Sequence, residues 1–88
     1  MPKILIIEDN KTTASYLAQG LKEHHYVTDV AHNDQDGLHM AENESYDLIT
    51  LDVMLPVMDG WTVLQKIRQL MPDIPVLFLT AKDQVTPC

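Results

Sequence analysis

Asp47–Gly60 reads DLITLDVMLPVMDG, and the order of its parts decides the fold. A short apolar run, Leu48 to Leu51, climbs straight into one carboxylate, Asp52. A mostly apolar loop follows, with Pro56 and then Asp59-Gly60. An acidic side chain at the tip of a buried strand is costly unless something there makes use of it.

The same arrangement stands at the start of the chain. Lys3 to Ile7 is short, β-branched and continuously apolar, as expected of a parallel strand covered on both faces, and it runs into Glu8-Asp9. Asn10 is placed to cap a helix carrying Ala14, Leu17 and Leu21 on one face. Tyr26 to Ala31 alternates, and its polar interruptions predict an edge strand. Asn33 caps a second helix to about Glu44, with a weaker stripe of Leu38, Met40 and Ala41. Its acidic run from Asp34 to Asp36 suits a helix's first turn. Asp59 or Gly60 opens a third helix with the stripe Trp61, Leu64, Ile67 and Met71, closed by Pro72, and Pro75 to Leu79 is a fourth strand. Strands alternating with helices at short spacing predict an α/β domain with a parallel sheet and right-handed crossovers.

Composition narrows the class. Eighty-eight residues make one domain at most, and 45% hydrophobic residues argue for a packed core over disorder. Thirteen acidic against six basic residues give a net charge of -7, which repels nucleic-acid backbones and anionic lipid. The single cysteine, Cys88, has no internal disulfide partner. No apolar run approaches the roughly 20 residues of a membrane span. The expected setting is the cytoplasm, with no membrane or direct nucleic-acid partner.

In a parallel sheet all strand C-termini share one rim. Here that rim collects Glu8 and Asp9 after strand one, Asp52 after strand three and Thr80 after strand four. Ligand sites in open α/β sheets form on this rim, where successive connections leave in opposite directions. Taken singly, each residue suits a cap, a turn or strand filler; taken together they favour a site. Clustered carboxylates repel one another and suit a hard cation such as Mg²⁺. A cation-bound Asp beside a hydroxyl is equipped for phosphoryl transfer.

KILIIEDN, DLITLDVMLPVMDGW and PVLFLTAKD together resemble the receiver domain of bacterial two-component response regulators, in the flavour of the winged-helix transcription-factor subgroup. The resemblance runs from Lys3 to Asp83. It implies a doubly wound, flavodoxin-like receiver fold. It implies that Asp52 is the phosphoacceptor for a phosphohistidine on a sensor histidine kinase. Asp9, Asp52 and the backbone carbonyl of Met54 would hold Mg²⁺, with Glu8 acting through metal-bound water. Thr80 would be the switch hydroxyl, Ala81 small enough to let it approach, and Pro56 and Gly60 would shape the loop after the acceptor.

The resemblance also implies a further helix, strand and helix bearing a lysine that pairs with the acceptor. Only Thr80 to Cys88 follows strand four, too little for a crossover and another strand. Lys82 lies where the family's loop already turns away and does not replace that lysine. The expectation is therefore a single truncated receiver over residues 1–88, without an output domain. Its exposed fourth strand would then pair with a second chain or swap elements, giving a homo-oligomer. An alternative function follows: a receiver fragment that is not phosphorylated and acts as an assembly unit. A haloacid-dehalogenase-like phosphatase needs a second carboxylate two residues after the nucleophile, where Met54 stands. A flavodoxin-like cofactor binder needs a phosphate cradle where Glu8 and Asp9 place negative charge.

Overall fold

The computed structural model describes residues 2–52 and 60–79. The elements run β1 (Lys3–Ile7), α1 (Lys11–Glu23), β2 (Val27–Ala31), α2 (Asp34–Asn43), β3 (Leu48–Asp52), α3 (Gly60–Leu70) and β4 (Val76–Leu79). Among the described residues the strands form one parallel sheet in the order β2-β1-β3-β4. The fold is doubly wound.

Its two layers are written in the alternation of β1. Leu5 and Ile7 join Ala41 of α2 and Val63 and Ile67 of α3 in one buried cluster. Ile4 and Ile6 join Ala18 of α1 in the other. A strand sandwiched this way carries no polar residue until it ends. Each fully buried Leu or Ile here stabilises by roughly 1.5–3 kcal/mol.

Local chemistry sets the helix ends. The Asn10 side chain accepts the Thr13 N–H at 2.9 Å, and Asn33 accepts the Asp36 N–H at 2.7 Å, so both expected caps form. At the other end of α1, His25 adopts φ 69°, and the Tyr26 N–H reaches back to the Leu21 carbonyl at 3.1 Å. This closure ties Tyr26 to the helix, so β2 starts at Val27 rather than at Tyr26.

A second correction concerns α3. Val63 and Ile67 are its fully buried residues, whereas Trp61, expected on that stripe, is 62% exposed. At 3.6 residues per turn Val63 lies about 40° from Ile67 around the axis, and Trp61 about 120°. The Trp61 ring instead rests on Phe78 of β4, centroids 4.8 Å apart.

At the N-terminal end of the sheet, one cluster ties three elements together. The Lys3 ammonium bonds Glu44 and lies 3.6 Å from Asp29 on β2, over the Tyr46 ring at 5.1 Å. The Tyr46 hydroxyl donates to Asp29 at 2.8 Å, and the Lys3 N–H donates to the Asp47 carboxylate at 2.7 Å. Burial, and then the bond to Asp29, hold the Tyr46 phenol well above its usual value of 10.0. The phenol form is therefore the one that stabilises the fold. Its contribution is complete below pH 10 and declines as pH rises beyond that.

Two comparisons test this packing. A Cβ on Gly37 of α2 would come within 2.6 Å of Ile7 Cδ1 and 2.8 Å of Cγ1, whereas one on Gly20 of α1 meets nothing within 4 Å. In urea unfolding, Gly20→Ala is expected to stabilise by roughly 0.5–1 kcal/mol. Gly37→Ala is expected to destabilise by about 1–2 kcal/mol despite the same propensity gain. Tyr46→Phe should lower stability at neutral pH by roughly 0.5–1.5 kcal/mol. It should also flatten the loss of stability above pH 10, measured by urea unfolding across an alkaline series.

Candidate functional site

The register of the sheet sets the ends of β1 and β3 side by side. Ile7 of β1 pairs with Leu51 of β3, so Glu8 and Asp52 stand one position further along two neighbouring strands. The chain leaves β1 toward β2 on one side and β3 toward β4 on the other, so this gap is the topological switch point. Asp52 is the last residue of β3, with its backbone in register with Leu79 at the end of β4. Gly60 opens α3, as expected. Met54, Pro56, Thr80 and Ala81 lie outside the described residues.

Glu8 and Asp9 differ in setting although they are adjacent. Glu8 is 2% exposed, and its carboxylate accepts the Asn10 N–H at 3.1 Å, which turns it toward the start of α1. The Glu8 N–H donates to the Ala31 carbonyl at 2.9 Å, and His32 Nδ1 lies 3.3 Å from the Glu8 carbonyl. These contacts fix the end of β1 against the end of β2. Asp9 is exposed at the rim. Among the described side chains no trio of His, Cys, Asp or Glu is poised to hold a metal. The acidic residues that the chain carries along this rim are Glu8, Asp9 and Asp52. That donor set is all oxygen and anionic, which suits Mg²⁺ and not a soft metal.

One polar group was not singled out by sequence reasoning. Asp36 behaves as a first-turn acid, exposed and bonded to the Asn33 amide at 3.1 Å. Asp34 does not: it is wholly buried, and among the described residues neither carboxylate oxygen has a hydrogen-bond partner. The signal was available in the spacing. Asp34, Gly37 and Ala41 fall at i, i+3 and i+7 and are the buried residues of α2. Position at the positive end of the helix dipole offsets part of the burial cost.

Comparisons with known proteins point one way. The model of the response regulator receiver domain matches residues 4–87. The transcriptional regulatory protein PcoR of Escherichia coli is 52% identical over 85 residues, covering 97% of this chain and 38% of that protein. A CheY-like response regulator receiver domain protein from Methanospirillum hungatei superposes with a TM-score of 0.90 at 28% identity, covering 97% of this chain and 68% of that one. The response regulator TrrA of Thermotoga maritima, solved in complex with Mg²⁺ and BeF, gives 0.89 at 31% identity, covering 94% and 72%. The chain thus spans little more than a third of the length of PcoR and of several other curated relatives.

The orphaned carboxylate generates a prediction that is independent of any ligand. Replacing Asp34 with Ala removes a buried acceptor pair that has no donor among the described residues, and should stabilise the protein by about 1–2 kcal/mol net of the lost dipole interaction. Urea unfolding at neutral pH measures it; a loss of stability would show that the carboxylate is well satisfied.

Proposed function

Because the chain belongs to the response regulator receiver domain family, we propose that it is the phosphoacceptor module of a two-component phosphorelay, with Asp52 as the acceptor. The observation that carries this reading is the position of Asp52 at the end of β3, beside the end of β1 where Glu8 and Asp9 stand. The donor is a phosphohistidine of a sensor histidine kinase. The N–P bond of the donor breaks, an Asp52 carboxylate oxygen forms the new O–P bond, and the departing imidazole takes a proton from solvent.

The chain's own groups divide the remaining tasks. Asp9, Asp52 and the Met54 carbonyl would hold Mg²⁺, with Glu8 acting on it indirectly through water. The buried, Asn10-bonded state of Glu8 supports such an indirect role. The bound cation supplies the positive charge that an incoming phosphoryl group among carboxylates requires. Thr80 donates its hydroxyl to the phosphoryl oxygen, Ala81 leaves room for that approach, and Pro56 and Gly60 shape the loop between acceptor and α3. The module receives a signal in the cytoplasm and turns over no substrate. Relatives such as PcoR carry the name transcriptional regulator, and the signal received here serves transcription on this reading.

A second reading, as an assembly unit, draws on a separate observation. Among the described strands β4 forms an edge, and its Leu77 is 51% exposed. A strand edge offers its backbone N–H and C=O groups to a further strand, and a second copy could supply one. Light scattering across a concentration series tests it: this reading expects a mass above one chain, and a monomer at high concentration removes it.

The acceptor role is tested by intact mass after incubation with Mg²⁺ and acetyl phosphate. One phosphoryl group is expected on the wild type and none on Asp52→Asn. An adduct on Asp52→Asn, or none on a folded wild-type sample, would overturn the assignment.

A further inference from the structure

At the end of the sheet opposite the carboxylate rim, the segments joining α2 to β3 and α3 to β4 run side by side and enclose a cleft of about 880 Å³. Its floor is apolar: Ala41, Tyr46 and Ile74 are buried, and Met71 is half-buried. Leu70 stands at its side, 44% exposed. Its rim is acidic, with Glu42, Glu44, Asp47 and Asp73, and among the described residues no lysine, arginine or histidine lines it.

Two of the four carboxylates are engaged with Lys3, Glu44 through the ammonium and Asp47 through the backbone N–H. Glu42 and Asp73 are exposed, on opposite walls, and take no part in that cluster. The wall that carries Asp73 is held in shape. Pro72 and Pro75 fix their own φ angles, and the Arg68 guanidinium donates to the carbonyls of Pro72, at 3.4 Å, and Ile74. A pre-shaped wall lowers the ordering cost of binding.

We propose that this cleft is a docking site for a short basic segment of a partner protein. An apolar side chain of the partner sits on the floor beside Leu70, and its flanking lysines or arginines face Glu42 and Asp73. Charge complementarity selects the occupant. The same carboxylates repel nucleic acid and anionic lipid, and a second copy of a chain with net charge -7 brings little positive charge to meet them. The site is independent of Asp52 and would couple the module to a partner at the end remote from phosphorylation.

The test is an NMR titration of the ¹⁵N-labelled chain with the synthetic peptide KRLLRK. Saturable shifts are expected at the amides of residues 41–47 and of Leu70, Met71, Asp73 and Ile74. The peptide EELLEE should produce none, and KRSSRK should bind about tenfold more weakly or worse. Combining Glu42→Lys with Asp73→Lys should weaken KRLLRK by about tenfold or more. Glu23→Lys, an equal charge change per site on exposed α1, should leave the affinity within about twofold. If the double reversal disturbs the spectrum, Glu42→Gln with Asp73→Asn carries the same comparison with a smaller loss. Equal binding of KRSSRK with shifts spread over the acidic surface would overturn the proposal. So would the absence of shifts in the cleft at millimolar peptide.

Discussion

Everything in this molecule depends on β1 being buried on both faces at the centre of the sheet. Ile4 to Ile7 leave no room for a polar side chain, because one pair faces α1 and the other faces α2 and α3. Polarity is therefore expelled to the two ends of the strand. At the C-terminal end it appears as Glu8 and Asp9, next to Asp52 on β3. At the N-terminal end it appears as Lys3, which gathers Asp29, Glu44, Tyr46 and Asp47 around it. A buried parallel strand has no other outlet for charge.

The two ends do different things with their carboxylates. At the Lys3 end the charges are met by a cation, a phenol and a backbone N–H, so that acidic groups act as fasteners between β1, β2 and the start of β3. At the other end, Glu8 and Asp9 follow β1 and Asp52 closes the neighbouring strand β3, so that acidic residues stand at adjoining strand ends. Asp34 stands at the start of α2 near the same rim, a buried acid with no donor among the described residues. Sites of this kind are where local rules of folding give way to function or to strain.

Much of the architecture was legible in the residues. The apolar runs of β1 and β3, the Asn10 and Asn33 caps and the edge character of β2 all follow from short-range patterns. The failures are equally specific. Trp61 is large and apolar, and a spacing of three from Leu64 suggested a shared face, yet Val63 and Ile67 define the face that the sheet covers. Tyr26 reads as strand by propensity, but the backbone closure after His25 claims its N–H for α1. Asp34 reads as a solvated first-turn acid because its charge outweighs its spacing in any sequence rule, while the approach of Gly37 to Ile7 pulls that turn of α2 onto the sheet.

The sequence alone determined the fold class, the caps and the identities of the acidic residues at strand ends, because these rest on periodicity and on chemistry within a few neighbours. It also carried a family resemblance that the comparisons bear out. Which carboxylates become neighbours was decided only by tertiary structure, through the register of β1 against β3. Tertiary structure also decided that Glu8 is buried while Asp9 is exposed, and that the two loops at the far end enclose an acidic, apolar-floored cleft. Such pairings join residues about thirty to forty-five positions apart, and only the packing of helices onto a common sheet sets their distance.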